Sequence, residues 1–372
     1  MQHHSLASKP HYPILDGLRG VAAVMVVAFH TLEPLSTSHL DLMMNHGYLA
    51  VDFFFLLSGY VIGYAYDDRW DKMSVGGFFK RRLIRLQPMI IIGMVVGAIF
   101  FYFQDSPAFP LIHTVPVWKT LLVMLIGCTL IPVPLSLDIR GWGEMHPLDG
   151  PGWSLFFEYI ANILYALFVR KFSKTLLTIL VIICGVALIQ YTVTSQTGDV
   201  VGGWSLDPLQ LRIGFTRMMY PFFAGLLLRR VTKTSSIKNA FFWCTLLVVI
   251  FFCMPRIGGA KGLWMNGLYE SLTIIFIFPL IVYMGASGTL VGKFATKSCK
   301  FLGNISYPLY ISHYPLIYTY WGWIARNKVT TLQQAGPWAL LVLVSAVALA
   351  YGYLKLYDVP VRQWLTKRFG NA

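Results

Sequence analysis

The stretch Asp16-Gly17-Leu18-Arg19-Gly20-Val21-Ala22-Ala23-Val24-Met25-Val26-Val27-Ala28-Phe29-His30 sets the terms for the whole chain. It reads as an apolar helix with a guanidinium at its entrance and an imidazole deep within it. Ionisable side chains are costly in hydrocarbon, and where a membrane span keeps them they mark function. His30 is therefore a candidate catalytic base, and the remaining residues are read for what they supply to it.

Composition agrees with a membrane span. Of 372 residues 56% are hydrophobic and only 12% charged, half the roughly 25% of a soluble protein. The apolar residues fall in long blocks instead of strand or amphipathic-helix stripes, which predicts an all-α, polytopic membrane protein. The net charge of +14 would suit nucleic acid, but the basic residues sit at the ends of apolar blocks, so no nucleic-acid partner is expected. Cysteines 128, 184, 244, 253 and 299 form no CxxC pair, so neither a disulfide framework nor a metal site is expected. The first apolar block reads as a retained span, not a cleaved signal. The blocks continue from end to end, so residues 1–372 are read as one membrane domain with short tails.

Charge sets the topology. Basic clusters lie at about 69–85, 170–174, 229–238, 293–300 and 355–368, and basic loops stay in the cytoplasm. An even number of crossings must then separate neighbouring clusters. Spans at about 14–32, 48–66, 86–103, 152–169, 175–193, 212–228, 239–254, 265–285, 301–324 and 338–357 meet that condition. The segment near 120–137, broken by Pro132 and Pro134, is left as re-entrant or lying on the outer face. The expectation is ten transmembrane helices with both termini in the cytoplasm, in a bacterial inner membrane.

Several residues carry possible chemistry. His30 lies sixteen residues beyond Ile14, roughly 24 Å along the helix, where an imidazole can act as a base without a metal. A histidine hydrogen-bonded between helices is the alternative. Arg82 and Arg85 are three apart and share a helix face. Two guanidinium forks there suit phosphates, although an inside anchor for anionic lipid has the same composition. Glu158, roughly one and a half turns into its span, is a candidate partner for His30, with a structural salt bridge to Arg212 or Arg217 as the alternative. Asp52, Arg217 and Glu270 also fall in outer halves. Together they suggest a polar cavity opening outward, or the lining of a transport path. Tyr310 and His313, between Pro308 and Pro315, can line a channel towards the cytoplasmic side or belong to a kinked packing helix.

Five motifs in order then carry a resemblance. They are Asp16-Gly-Leu-Arg-Gly with His30, Phe53-Phe-Phe-Leu-Leu-Ser-Gly-Tyr60, Arg82-Leu-Ile-Arg85, Trp153-Ser-Leu-Phe-Phe-Glu158 and Ser306-Tyr-Pro-Leu-Tyr-Ile-Ser-His313. The chain resembles the membrane acyltransferase-3 family from about residue 12 to 325. Proteins of that family O-acylate, usually O-acetylate, extracytoplasmic carbohydrates such as lipopolysaccharide O-antigen, exopolysaccharide or peptidoglycan. Some modify Nod factors or macrolide antibiotics. The resemblance implies that His30 is the catalytic histidine, that Arg82 and Arg85 serve acyl-CoA, and that Arg19, Trp153, Ser154 and Glu158 matter. Some relatives append a hydrolase-like domain that completes transfer. None is expected here, so the membrane domain would transfer directly or pass the acyl group to a separate protein.

The combined expectation is transfer of an acetyl or other short acyl group from cytoplasmic acyl-CoA, a co-substrate and not a resident cofactor, to a carbohydrate hydroxyl. His30 and Glu158 are the catalytic candidates. Arg19, Arg82, Arg85, Tyr310 and His313 are the donor-binding candidates; Trp153, Ser154, Asp52, Arg217 and Glu270 are the acceptor-binding ones. A membrane transporter or flippase is the competing class.

Overall fold

The computed structural model describes residues 9, 11–38 and 40–369. Fourteen α-helices follow one another: α1 Pro13–Leu32, α2 Ala50–Tyr66, α3 Val75–Phe100, α4 Val117–Cys128, α5 Gly152–Leu167, α6 Lys174–Thr194, α7 Pro208–Val231, α8 Ala240–Cys253, α9 Leu263–Leu272, α10 Phe278–Ala286, α11 Lys293–Ser312, α12 Tyr314–Asn327, α13 Leu332–Tyr353 and α14 Val359–Phe369. Strand structure among the described residues is confined to a two-residue parallel pair, Ile237–Lys238 with Gly288–Thr289, and isolated bridges. A helix satisfies its own backbone, which hydrocarbon requires of a spanning segment.

Among the described residues six continuous helical segments are long and apolar enough to cross a membrane: Pro13–Leu35, Gly47–Tyr66, Val75–Gln104, Lys174–Thr194, Leu263–Ala286 and Leu332–Phe369. The other expected spans have helices at the right places with a different character. α5 and α8 are shorter, α7 carries Arg212, Arg217, Arg229 and Arg230, and the 301–324 block is divided between α11 and α12. The division falls at His313 because Pro315 has no N–H to continue the helical bonding. α4 has twelve residues, about 18 Å of helix, so it stops well short of the roughly 30 Å hydrocarbon core.

Local sequence explains other boundaries. α3 begins eleven residues before the expected span at residue 86, so the basic cluster lies within the helix. Ser74 caps that start by accepting from the Gly77 N–H at 3.0 Å, as an N-cap serine does. Asp207 and Thr331 cap α7 and α13 in the same way.

α1 and α2 form the centre. Of their most apolar windows 67% and 72% are buried, against 33% for α6 and 22% for the α13–α14 rod, which places those two on the outside of the bundle. α1 packs mainly on α11 and also touches α8, α13, α2 and α12; α2 packs mainly on α7. Glycines permit the tightest approach. A Cβ at Gly59 would overlap the Phe222 carbonyl oxygen, and one at Gly225 would overlap that of Leu56. Such small-residue contacts replace the hydrophobic drive that is absent between helices in lipid.

Gly59→Ala and Gly225→Ala should each cost about 1–3 kcal/mol by overpacking. Thermal unfolding in detergent would show it, and because both changes strain one interface the double variant should lose less than the sum.

Candidate active site

α1 ends two residues beyond His30, where Glu33–Leu35 tighten into a 3-10 turn. Pro34 starts that tightening and has consequences. The helix would offer the N–H of residue 34 to the His30 carbonyl, but proline has none. Trp321 of α12 fills the vacancy, donating its indole N–H to that carbonyl at 2.8 Å. The same turn brings the Glu33 carboxylate to His30 Nδ1, 2.7 Å away. A carboxylate there holds the proton on Nδ1 and leaves a lone pair on Nε2. The Tyr314 hydroxyl is 3.3 Å from that Nε2. His313 lies alongside, its ring stacked on His30 with centroids 5.7 Å apart.

His30 opens into a chamber of about 340 Å³. Trp142, Trp153, Trp204 and Trp321 line it, with Glu33, Glu144, Arg217 and His313 among them. Glu144 accepts from the Tyr318 hydroxyl at 2.7 Å. Burial pushes its carboxyl up to about 7, against the opposing pull of Arg140. Near neutral pH it can thus accept from a ligand hydroxyl or donate to one.

A second, smaller chamber of about 90 Å³ lies beyond this one. Arg19, Arg82, Arg85 and Glu158 line it, together with apolar side chains from α2. Arg82 donates to Glu158 Oε1 at 2.5 Å and Ser58 donates to the same oxygen at 2.7 Å. Arg19 holds Asp16 at 3.1 Å. Arg85 makes no ion pair among the described residues, so its charge is available to an anion. Arg19, Arg85, Ser306 and Tyr307 also border a vestibule that carries Lys300, Lys355 and Arg362. Vestibule, arginine chamber and histidine chamber therefore adjoin in series. The stripe Gly303, Ser306, Tyr307, Tyr310, His313, Tyr314, Trp321 runs along all three at helical spacing.

The structure brings together some of the expected residues and moves others. Arg19, Arg82 and Arg85 share one chamber, and Trp153 and Arg217 share the other. Glu158 is not the partner of His30. Depth along α5 placed it plausibly, but the helix turns that face towards α3, and Glu33 occupies the Nδ1 position instead. Glu33 lies just past the expected 14–32 span and is not among the expected site residues; its signal is the three-residue spacing from His30. His313 belongs beside His30 and not on the arginine side, because the α11–α12 break lies at the histidine chamber. Ser154 borders the arginine chamber, bonded to Tyr310.

Asp52 and Glu270 have no exposed surface and touch no chamber. Asp52 grips Arg217 at 2.7 Å, and Arg217 in turn donates to the Tyr48 and Gly202 carbonyls and lies under Trp153, 5.2 Å from its ring centroid. Glu270 accepts from Tyr48, Asn266 and the Val200 N–H. Both carboxylates hold chamber walls in place. The tryptophans other than Trp153 lie in segments where only tertiary contact reveals a shared cavity.

The model of the acyltransferase-3 family, described as an acyltransferase domain, matches residues 12–355. The chain belongs to that family. Protein 2 in the picA locus of Rhizobium radiobacter is 31% identical over a segment covering 41% of this chain and 80% of that protein. The peptidoglycan O-acetyltransferase OatA of Listeria monocytogenes is 24% identical across 98% of this chain and 58% of its own length. The O-acetyltransferase OatA of Staphylococcus aureus is 23% identical across 97% of this chain and 59% of its own length. The chain thus spans under two-thirds of those two relatives. No solved structure matches it.

Losing one partner of a fully buried ion pair costs about 3–5 kcal/mol. The Glu158 side chain is 17% exposed, so Arg82→Met should fall at the low end of that range. Adding Glu158→Gln to the same chain should recover much of the loss in a double-mutant cycle of thermal unfolding.

Proposed function

We propose that this chain is an O-acyltransferase that carries an acetyl or similar short acyl group from cytoplasmic acyl-CoA to a hydroxyl of a carbohydrate on the other face of the membrane. One observation carries the reading: a basic chamber and a tryptophan-lined chamber holding a His–Glu pair lie end to end across the helix bundle. The family, and relatives named as O-acetyltransferases, support the same chemistry.

The arginine end faces the cytoplasm in this reading, as the basic vestibule near both termini favours. Arg85, with the vestibule lysines, attracts the donor's phosphates, while Arg19 is held by Asp16. Arg82 is already neutralised by Glu158 and so contributes mainly to the chamber's shape. At the other end a sugar suits the tryptophans, because its ring faces are apolar and its rim is polar. The acceptor hydroxyl displaces the Tyr314 hydroxyl from His30 Nε2. His30 takes the hydroxyl proton as the oxygen attacks the thioester carbonyl, and Glu33 steadies the imidazolium that forms. The C–S bond breaks, and the proton on Nε2 passes to the departing thiolate. Atoms balance as one ester and one thiol.

A transport pathway lined by Asp52, Glu158, Arg217 and Glu270 has little support, since Asp52 and Glu270 are sealed in the walls and Glu158 is tied to Arg82.

The purified chain in nanodiscs, given acetyl-CoA and a glycan, should release CoA and form an acetyl ester visible by mass spectrometry. His30→Ala should lower turnover by about 10²–10⁴-fold, the contribution of a positioned base. Glu33→Gln should lower turnover while leaving the donor KM unchanged. Full activity in the alanine variant would refute the assignment. Surface glycans from cells with and without the gene should differ in O-acetylation.

A further inference from the structure

The thioester and the acceptor must meet, yet the two chambers meet at a wall. Among the described residues they share Val51 and Tyr310 as lining. Tyr310 is the larger and is only 8% exposed. Ser154 donates to the Pro151 carbonyl at 3.0 Å, so its oxygen accepts from the Tyr310 hydroxyl, 2.7 Å away. The ring packs edge-on against Phe54 with centroids 5.1 Å apart, and at a tilt against His313 with centroids 6.1 Å apart. The Tyr310 side chain is thus latched across the junction by one hydrogen bond and two aromatic contacts.

The backbone beneath it is weakened on both sides. Pro308 removes the N–H that the Asn304 carbonyl would accept, Pro315 removes that for Ile311, and the helix breaks at His313. A helix with missing bonds bends more readily at that point. Tyr310 stands between the two prolines.

From this geometry we infer that Tyr310 is a movable partition between donor and acceptor chambers, and that its closure favours transfer over hydrolysis. The inference rests on the acyltransferase reading above. With the partition open and no sugar present, water from the acceptor side reaches the thioester. Its oxygen forms the new C–O bond, the C–S bond breaks, and His30 passes the water proton to the thiolate, giving acid and thiol. Excluding water from a reactive acyl group is what a closed site achieves. The Ser154 latch is weak enough to yield, because a hydrogen bond within the protein largely replaces one to water and its net contribution is small. Acceptor binding, once the donor is in place, can therefore open it without unfolding the junction.

The test compares the full chain with Tyr310→Ala, Tyr310→Phe and Ser154→Ala in nanodiscs supplied with acetyl-CoA. CoA release without glycan is divided by ester formation with glycan. The two latch variants should raise that ratio by about two- to tenfold, one hydrogen bond's worth. Tyr310→Ala, which removes the partition itself, should raise it more than about tenfold. A folded alanine variant with the wild-type ratio overturns the inference. Should that variant fail to fold, unchanged ratios in both latch variants overturn it equally. A wild-type chain that neither transfers nor hydrolyses acetyl-CoA would overturn the acyltransferase reading instead. The partition is then read from proteoliposomes: Tyr310→Ala should leak a small trapped dye that the wild type retains, and equal retention overturns it.

Discussion

A charge inside an apolar bundle must find a partner, and much of this architecture follows from how three such charges are paired. Arg217 meets Asp52 at 2.7 Å with both side chains almost wholly buried. Because the desolvation of two ions is so costly, that pair is tolerated only with the added hydrogen bonds Arg217 makes to the Tyr48 and Gly202 carbonyls. Those bonds tie α7 to the start of α2 and to the 199–206 loop, and they set Trp153 in place. Arg82 with Glu158 does the same for α3 and α5. His30 with Glu33 is the pair most open to a chamber, and it is the pair with chemistry available to it.

Proline organises the site through what it lacks. Pro34 withholds an N–H from the His30 carbonyl, which Trp321 then claims, so α12 is fastened to the end of α1 beside the dyad. Pro315 interrupts the α11–α12 rod at His313 and turns His313 and Tyr314 towards His30. Pro308 and Pro315 together flank Tyr310, the residue at the junction of the two chambers. The stacking of function along one rod, from Gly303 to Trp321, has a simple origin: helical spacing places one residue per turn on the same face.

Much of this was legible in the linear chain. Apolar block length announced a bundle of membrane helices, and charge placement separated one end of the path from the other. His30, Arg19, Arg82 and Arg85 stood out because an ionisable group in or beside an apolar block demands an explanation. Boundaries were less accurate where polar residues continue a helix beyond its apolar part, as in α3. The partner of His30 was missed because depth along a helix says nothing about azimuth, so Glu158 seemed as near as any carboxylate.

The sequence by itself determined the class of fold, the family, and which ionisable groups the helices carry, since those follow from composition, periodicity and motif order. Only the tertiary structure decided who meets whom: Glu33 with His30, Arg82 with Glu158, Arg217 with Asp52, and Tyr310 between two chambers. The reason is that helix rotation and crossing are set by packing contacts between distant segments, such as Gly59 against Phe222, and no local spacing encodes the direction in which a side chain will then point.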